Sequence, residues 1–113
     1  MRRHKYGAQK TKIDGHTFQS LAEANYYKQL KLLQRAGEVT DIVLQPKYEI
    51  IPSYRGRNGR KVSATYYIAD FLVTYKDGRQ EIIDVKGYIT PVYALKKKMF
   101  EYRYPDLTIT EVS

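Results

Sequence analysis

The chain has no cysteine and no tryptophan, and its histidines are only His4 and His16. Without cysteine, neither a disulfide framework nor a thiolate zinc centre can form. Two histidines leave no room for a histidine-rich metal site. No apolar run approaches the roughly 18 residues of a membrane span, and nothing at the start reads as a secretory leader. The expected setting is that of a soluble intracellular protein, with no membrane and no organic cofactor.

Positive charge is abundant. Twenty Lys+Arg stand against 12 Asp+Glu, a net +8 on 113 residues. That length makes a single domain with a modest core, and that charge suits a nucleic-acid partner. Charge alone fits an inert basic protein equally well. The twelve tyrosines supply amphipathic aromatic surface, mostly for a core with hydroxyls at its rim.

Chemistry concentrates between Ile68 and Gly87. An apolar strand carrying Asp70 leads into Lys76-Asp77-Gly78, and a second apolar strand carries Asp84 and Lys86. Buried carboxylates are costly unless paired or bound to metal. A three-residue loop with Gly78 in the left-handed position puts Leu72 opposite Ile82 and Asp70 opposite Asp84. Lys86 then shares a face with Asp84. A two-residue Asp77-Gly78 loop would instead set Asp70 opposite Val85 and separate the carboxylates. In the first register like charges oppose each other, which destabilises a sheet. A divalent cation with oxygen ligands, Mg²⁺ or Mn²⁺, would reverse that.

Around this hairpin the order is simple. Residues 1–12 read as a flexible basic leader with Arg2, Arg3, Lys5, Lys10 and Lys12, and residues 13–113 as one domain. Ile13 to His16 is a turn or short edge strand. Ser20 and Glu23 form a capping-box pattern that opens a helix running to about Ala36, with Gly37 as its stop. Its expected apolar stripe is Ala22, Tyr26, Leu30 and Leu33, with Glu23 at the edge. Glu23 therefore has two readings, a cap residue or a carboxylate reaching a site. Val39 to Leu44 is extended. Tyr48 to Tyr54 is a strand at an edge, given Pro52. Arg55 to Lys61 is a hairpin tip with an Asn58-Gly59 turn, and Arg55, Arg57, Arg60 and Lys61 on it are candidate DNA contacts. Ser63 to Tyr75 and Arg79 to Lys86 are the central strands, apolar on both faces. Thr90 caps a second helix with Pro91 in its first turn. Val92, Leu95, Met99 and Tyr102 are its expected buried stripe, with Lys96, Lys97 and Lys98 off it and facing DNA. Leu107 to Val112 is a last strand, parallel to an earlier one by the crossover rule.

This αβββαβ order, with Glu23 in the first helix, Ala69-Asp70 in the second strand and Asp84-Val85-Lys86 in the third, resembles the PD-(D/E)xK nuclease superfamily. Ala69 stands where that family often has proline. The chain is more closely similar to the phage-associated DUF1064 group, with its Ser-x-x-Glu-Ala helix, its Gln45-Pro46 step and its lysine-rich second helix. The Gln-Pro step and helix glutamate also resemble the endonuclease subunit of cut-and-paste transposons. The resemblance implies an α/β, restriction-endonuclease-like fold, a mixed sheet flanked by helices. It implies Mg²⁺ or Mn²⁺ held by Asp70, Asp84 and the Val85 carbonyl, with Glu23 as accessory ligand, Lys86 acting on the attacking water, and Gln45 at the site's edge. The expected activity is metal-dependent endonucleolytic cleavage of DNA, with branched or recombination DNA among the candidate substrates and a homodimer supplying the second cut. The alternatives are a nuclease-fold DNA-binding accessory of phage recombination or packaging, and an RNA-binding domain. The lack of an RNP-like aromatic motif weakens the last.

Overall fold

The computed structural model describes residues 10–113. Arg2, Arg3 and Lys5 of the expected leader lie outside the described residues. Order begins earlier than residue 13. Strands β1 (Thr11–Ile13) and β2 (His16–Phe18) form an antiparallel hairpin. Its turn residues Asp14 and Gly15 have φ of 53° and 80°. Two left-handed residues in succession are what a tight primed turn requires.

Helix α1 (Leu21–Arg35) follows, with Ser20 Oγ accepting from the Glu23 N–H at 3.1 Å. At its other end Gly37 has φ 86°. The Gly37 and Glu38 N–H groups return to the carbonyls of Gln34 and Leu33, a Schellman closure. The buried face differs from expectation. It consists of Glu23, Ala24, Tyr27 and Leu30, while Leu33 is 41% exposed. A stripe drawn through apolar residues alone leaves out the one buried acid and so rotates the helix by about a residue.

Next come β3 (Val39–Leu44), β4 (Lys47–Ile51), β5 (Tyr54–Arg55), β6 (Lys61–Val62), β7 (Thr65–Ile68), β8 (Phe71–Tyr75), β9 (Gln80–Val85), α2 (Pro91–Arg103) and β10 (Ile109–Val112). The main sheet has the order β10-β9-β8-β3. β10 is parallel to β9, and the other pairs are antiparallel. The protein is thus mixed α/β, with a mixed sheet and two helices.

Alternation along β8 and β9 feeds two cores, as both apolar faces imply. Phe71, Val73 and Ile83 pack with Phe18, Ala24, Tyr27 and Leu30 from β2 and α1. Leu72 and Ile82 turn the other way, toward Tyr67, Tyr93 and Phe100. Thr90 caps α2 as expected, its Oγ1 accepting from the Tyr93 N–H at 3.1 Å. The stripe of α2 is again shifted by a residue: Tyr93 and Phe100 are buried, whereas Val92, Leu95 and Tyr102 are 68%, 54% and 89% exposed. Lys97 lies on the side facing β10, where it bonds Glu111 at 3.0 Å.

The expected single strand from Ser63 to Tyr75 is broken at Ala69-Asp70. β7 pairs with β4, and β8 pairs with β3. The register nevertheless passes through the break: Leu44 opposes Phe71 on one side, and Lys47 opposes Ile68 on the other. One antiparallel ribbon bends here. Gln45 takes a left-handed φ of 51°, uncommon for a residue with a Cβ. Its N–H donates to the Asp70 carbonyl at 2.9 Å, and the Ala69 N–H donates to the Pro46 carbonyl at 3.1 Å.

Candidate active site

The bend places Asp70. The three-residue hairpin loop is found: Leu72 opposes Ile82, the Tyr75 N–H donates to the Arg79 carbonyl, and Gly78 has φ 89°. Asp70 stands one residue beyond the end of β8, where the chain leaves the ladder. Its Oδ2 accepts from the Val85 N–H at 2.7 Å. A side-chain carboxylate thereby takes a donor that a continuing strand would have met with backbone, which fixes its orientation.

Asp84 lies within β9 and is 2% exposed. Its Oδ2 accepts from the Tyr67 hydroxyl and its Oδ1 meets Lys86 Nζ at 2.9 Å. The Lys86 ammonium also lies 4.2 Å from the centre of the Tyr93 ring, a cation–π distance. The charge of Asp84 is therefore compensated. The expected repulsion between the facing carboxylates still acts on Asp70, where the Glu23 carboxylate adds to that of Asp84.

A cleft of about 250 Å³ opens beside Asp70, lined by Gly15 to Phe18, Glu23, Leu44, Gln45 and Asp70. Asp84 and Lys86 do not line it, but their charges act on both Glu23 and Asp70. Burial, followed by the nearby Glu23 and Asp84 carboxylates, outweighs the Val85 hydrogen bond, and the Asp70 carboxyl is pushed up to about 7. Glu23 is raised as well, chiefly by burial. Its Oε1 receives only a long 3.4 Å bond from the Gln19 N–H. The cap is supplied by Ser20, and Glu23 also lines the cleft.

The structure gathers Glu23, Gln45, Asp70, Asp84, Val85 and Lys86 around one end of the main sheet. It does not gather all the candidate DNA contacts. Arg55, Arg57, Arg60 and Lys61 lie on the β5–β6 hairpin, Lys96 lies on α2, and Lys97 is engaged with Glu111. Sequence reasoning missed Tyr67 and Tyr93. A buried tyrosine needs a partner for its hydroxyl, and in an apolar strand near a lone acid that need was the available signal. It also missed the β1–β2 hairpin as a wall of the cleft, including His16.

Among the described residues no three His, Asp or Glu side chains form a ready metal cage. The donors present are hard carboxylate oxygens, one of them held in place by the Val85 N–H and destabilised as an anion. That set fits Mg²⁺, which takes one or two carboxylates and completes its shell with water and substrate phosphate.

Fold and cleft together define a mixed α/β protein with a carboxylate–lysine cluster at one end of its sheet. The chain belongs to the DUF1064 family, described as a protein of unknown function, whose pattern matches residues 3–113. No curated protein and no solved structure matched. No described helix is long and apolar enough to cross a membrane.

Proposed function

We propose that this protein is a metal-dependent DNA endonuclease of the PD-(D/E)xK kind, built on a restriction-endonuclease-like core. The observation that carries the reading is the convergence of Asp70, Asp84 and Glu23 with a single cation, Lys86, beside an open cleft. Three carboxylates against one ammonium make a site short of positive charge. Asp70 and Asp84, with the Val85 carbonyl, would hold Mg²⁺ or Mn²⁺, and Glu23 would assist. Such an ion supplies water activation and charge neutralisation in phosphodiester hydrolysis. Lys86, held by Asp84 and the Tyr93 ring, steadies negative charge growing on the phosphoryl oxygens. Gln45 presents its side of the cleft at the bend. One site per chain makes a two-fold dimer the simplest way to cut both strands.

Nicking of supercoiled plasmid in Mg²⁺ or Mn²⁺, abolished in Asp70→Asn and Lys86→Ala, tests the reading. Titration calorimetry should find metal binding lost in the first variant and kept in the second. A second reading, a DNA-binding accessory without cleavage, draws on the absence of a three-residue acidic cage among the described residues. DNA binding with no nicking in any divalent metal would favour it.

A further inference from the structure

The ribbon that bends at Asp70 continues outward. Beyond β4 and β7 the same two strands pair again, Tyr54 with Val62 and Arg55 with Lys61. Its base is braced by α2: Tyr48 and Tyr67 pack on Phe100 with ring centres 5.1 and 5.2 Å away, and the Tyr104 hydroxyl donates to the Glu49 carbonyl at 2.7 Å. Past Ile51 the bracing ends. From Pro52 to Ser63 every residue except Gly56 is exposed.

The outer part is stiffened by its own bonds. Arg55 Nη1 donates to the Gly59 carbonyl at 2.8 Å, the Arg60 N–H to Asn58 Oδ1 at 3.0 Å, and the Gly56 N–H to the Arg60 carbonyl at 2.7 Å. Its charge is uncompensated. Between Glu49 and Asp70 the chain has no acid, yet it has Arg55, Arg57, Arg60 and Lys61. None of the ion pairs among the described residues involves these four.

We propose that residues 52–63 are an arm that binds duplex DNA at a set distance from the cleft, so that the substrate must offer a duplex flank on that side. This rests on the nuclease reading for the identity of the cleft. The partner follows from shape and charge. A two-stranded ribbon fits the wide major groove of B-DNA, whereas the major groove of an RNA helix is too narrow to admit it. The distance follows from the ribbon's length. The nine residue steps from Arg60 to Ala69, at about 3.3 Å each, span about 30 Å. That corresponds to a flank of roughly nine base pairs.

Binding is measured on the metal-free protein in EDTA, with wild type and an Arg57→Ala/Arg60→Ala variant. Two DNAs are used, a duplex of about 24 base pairs and a hairpin with a stem of about six. On the long duplex the variant should bind about tenfold more weakly, with a salt dependence flatter by about two units. On the short stem the two proteins should bind alike. Equal loss on both DNAs, no loss on either, no binding to duplex DNA, or the same loss on duplex RNA would each overturn the arm. A correct binding pattern without nicking by wild type in Mg²⁺ or Mn²⁺ removes the nuclease reading and leaves the arm standing. Nicking with no effect of the variant on binding does the reverse.

Discussion

The hydroxyl of Tyr67 donates to Asp84 Oδ2, on the opposite side of the carboxylate from Lys86. Burial and this bond to an anion both push the phenol's pKa up, so Tyr67 stays a donor throughout the working pH range. It holds Asp84 in one orientation, with Oδ1 toward the lysine. Tyr67→Phe keeps the ring against Phe100 and removes the donor. We expect cleavage or metal affinity to fall by about tenfold to a hundredfold, the usual effect of losing a group that orients a ligand. DNA affinity in EDTA should stay unchanged. A Phe variant that nicks plasmid at the wild-type rate would show that Asp84 needs no such support.

Asp70 makes metal-free stability depend on pH, and the sign can be worked out. Its folded carboxyl, at about 7, lies above the ordinary 3.8. Between those values the folded chain binds more protons than the unfolded one. Its contribution to stability is therefore full below about pH 4 and lost as pH rises toward 7. Thermal unfolding in EDTA should show wild type losing Tm across that window relative to Asp70→Asn. At pH 7 the variant should be the more stable of the two. Added Mg²⁺ should raise the Tm of wild type and leave the variant where it was. Parallel pH curves for the two proteins would count against the burial and repulsion assigned to Asp70.

Asp84→Asn has a different signature. Asp84 is already paired, so the change strips Lys86 of its counter-ion and should lower stability at neutral pH, since removing one member of a buried pair destabilises. Cleavage should be lost, and DNA binding should persist or tighten with the more positive chain. Lys86→Ala should also abolish cleavage while keeping metal binding. Nicking, DNA titration and metal calorimetry on the same proteins separate these outcomes. Undiminished cleavage by Asp84→Asn would end the nuclease reading.

Glu23→Gln tests the glutamate of α1. Ser20 caps the helix, and a glutamine can take up the weak bond from the Gln19 N–H, so Tm should not fall. If the carboxylate serves the cleft, the Mg²⁺ concentration for half-maximal nicking should rise several-fold. An unchanged metal requirement would leave Glu23 a helix-start residue.

The parts legible in the sequence were those fixed by local chemistry. The Ser20 and Thr90 caps, the Gly78 loop and the stop at Gly37 each depend on a few neighbouring residues, and each is found. The loop allowed two registers for the Asp70 and Asp84 strands, and the one with three loop residues and Gly78 in the left-handed position is found. Long-range arrangement was less accessible. Both helix faces were misdrawn by a residue, because a purely apolar pattern passes over Glu23 on the buried face of α1 and Lys97 on the side of α2 that meets Glu111. The bend at Gln45 was hidden because a left-handed residue other than glycine leaves little mark in sequence. Tyr67 could not be tied to Asp84 without knowing that β7 turns away from β8.

The bend also bears on how such a protein can vary. Strand pairing passes through Gln45-Pro46 and Ala69-Asp70 without losing step, whereas the register shifts by one residue between Glu49 and Ile51 in the outward part of the ribbon. A bulge of that kind takes up an unmatched residue locally. The hairpin can therefore change length beyond Glu49 while Asp70 and the Val85 N–H remain in place.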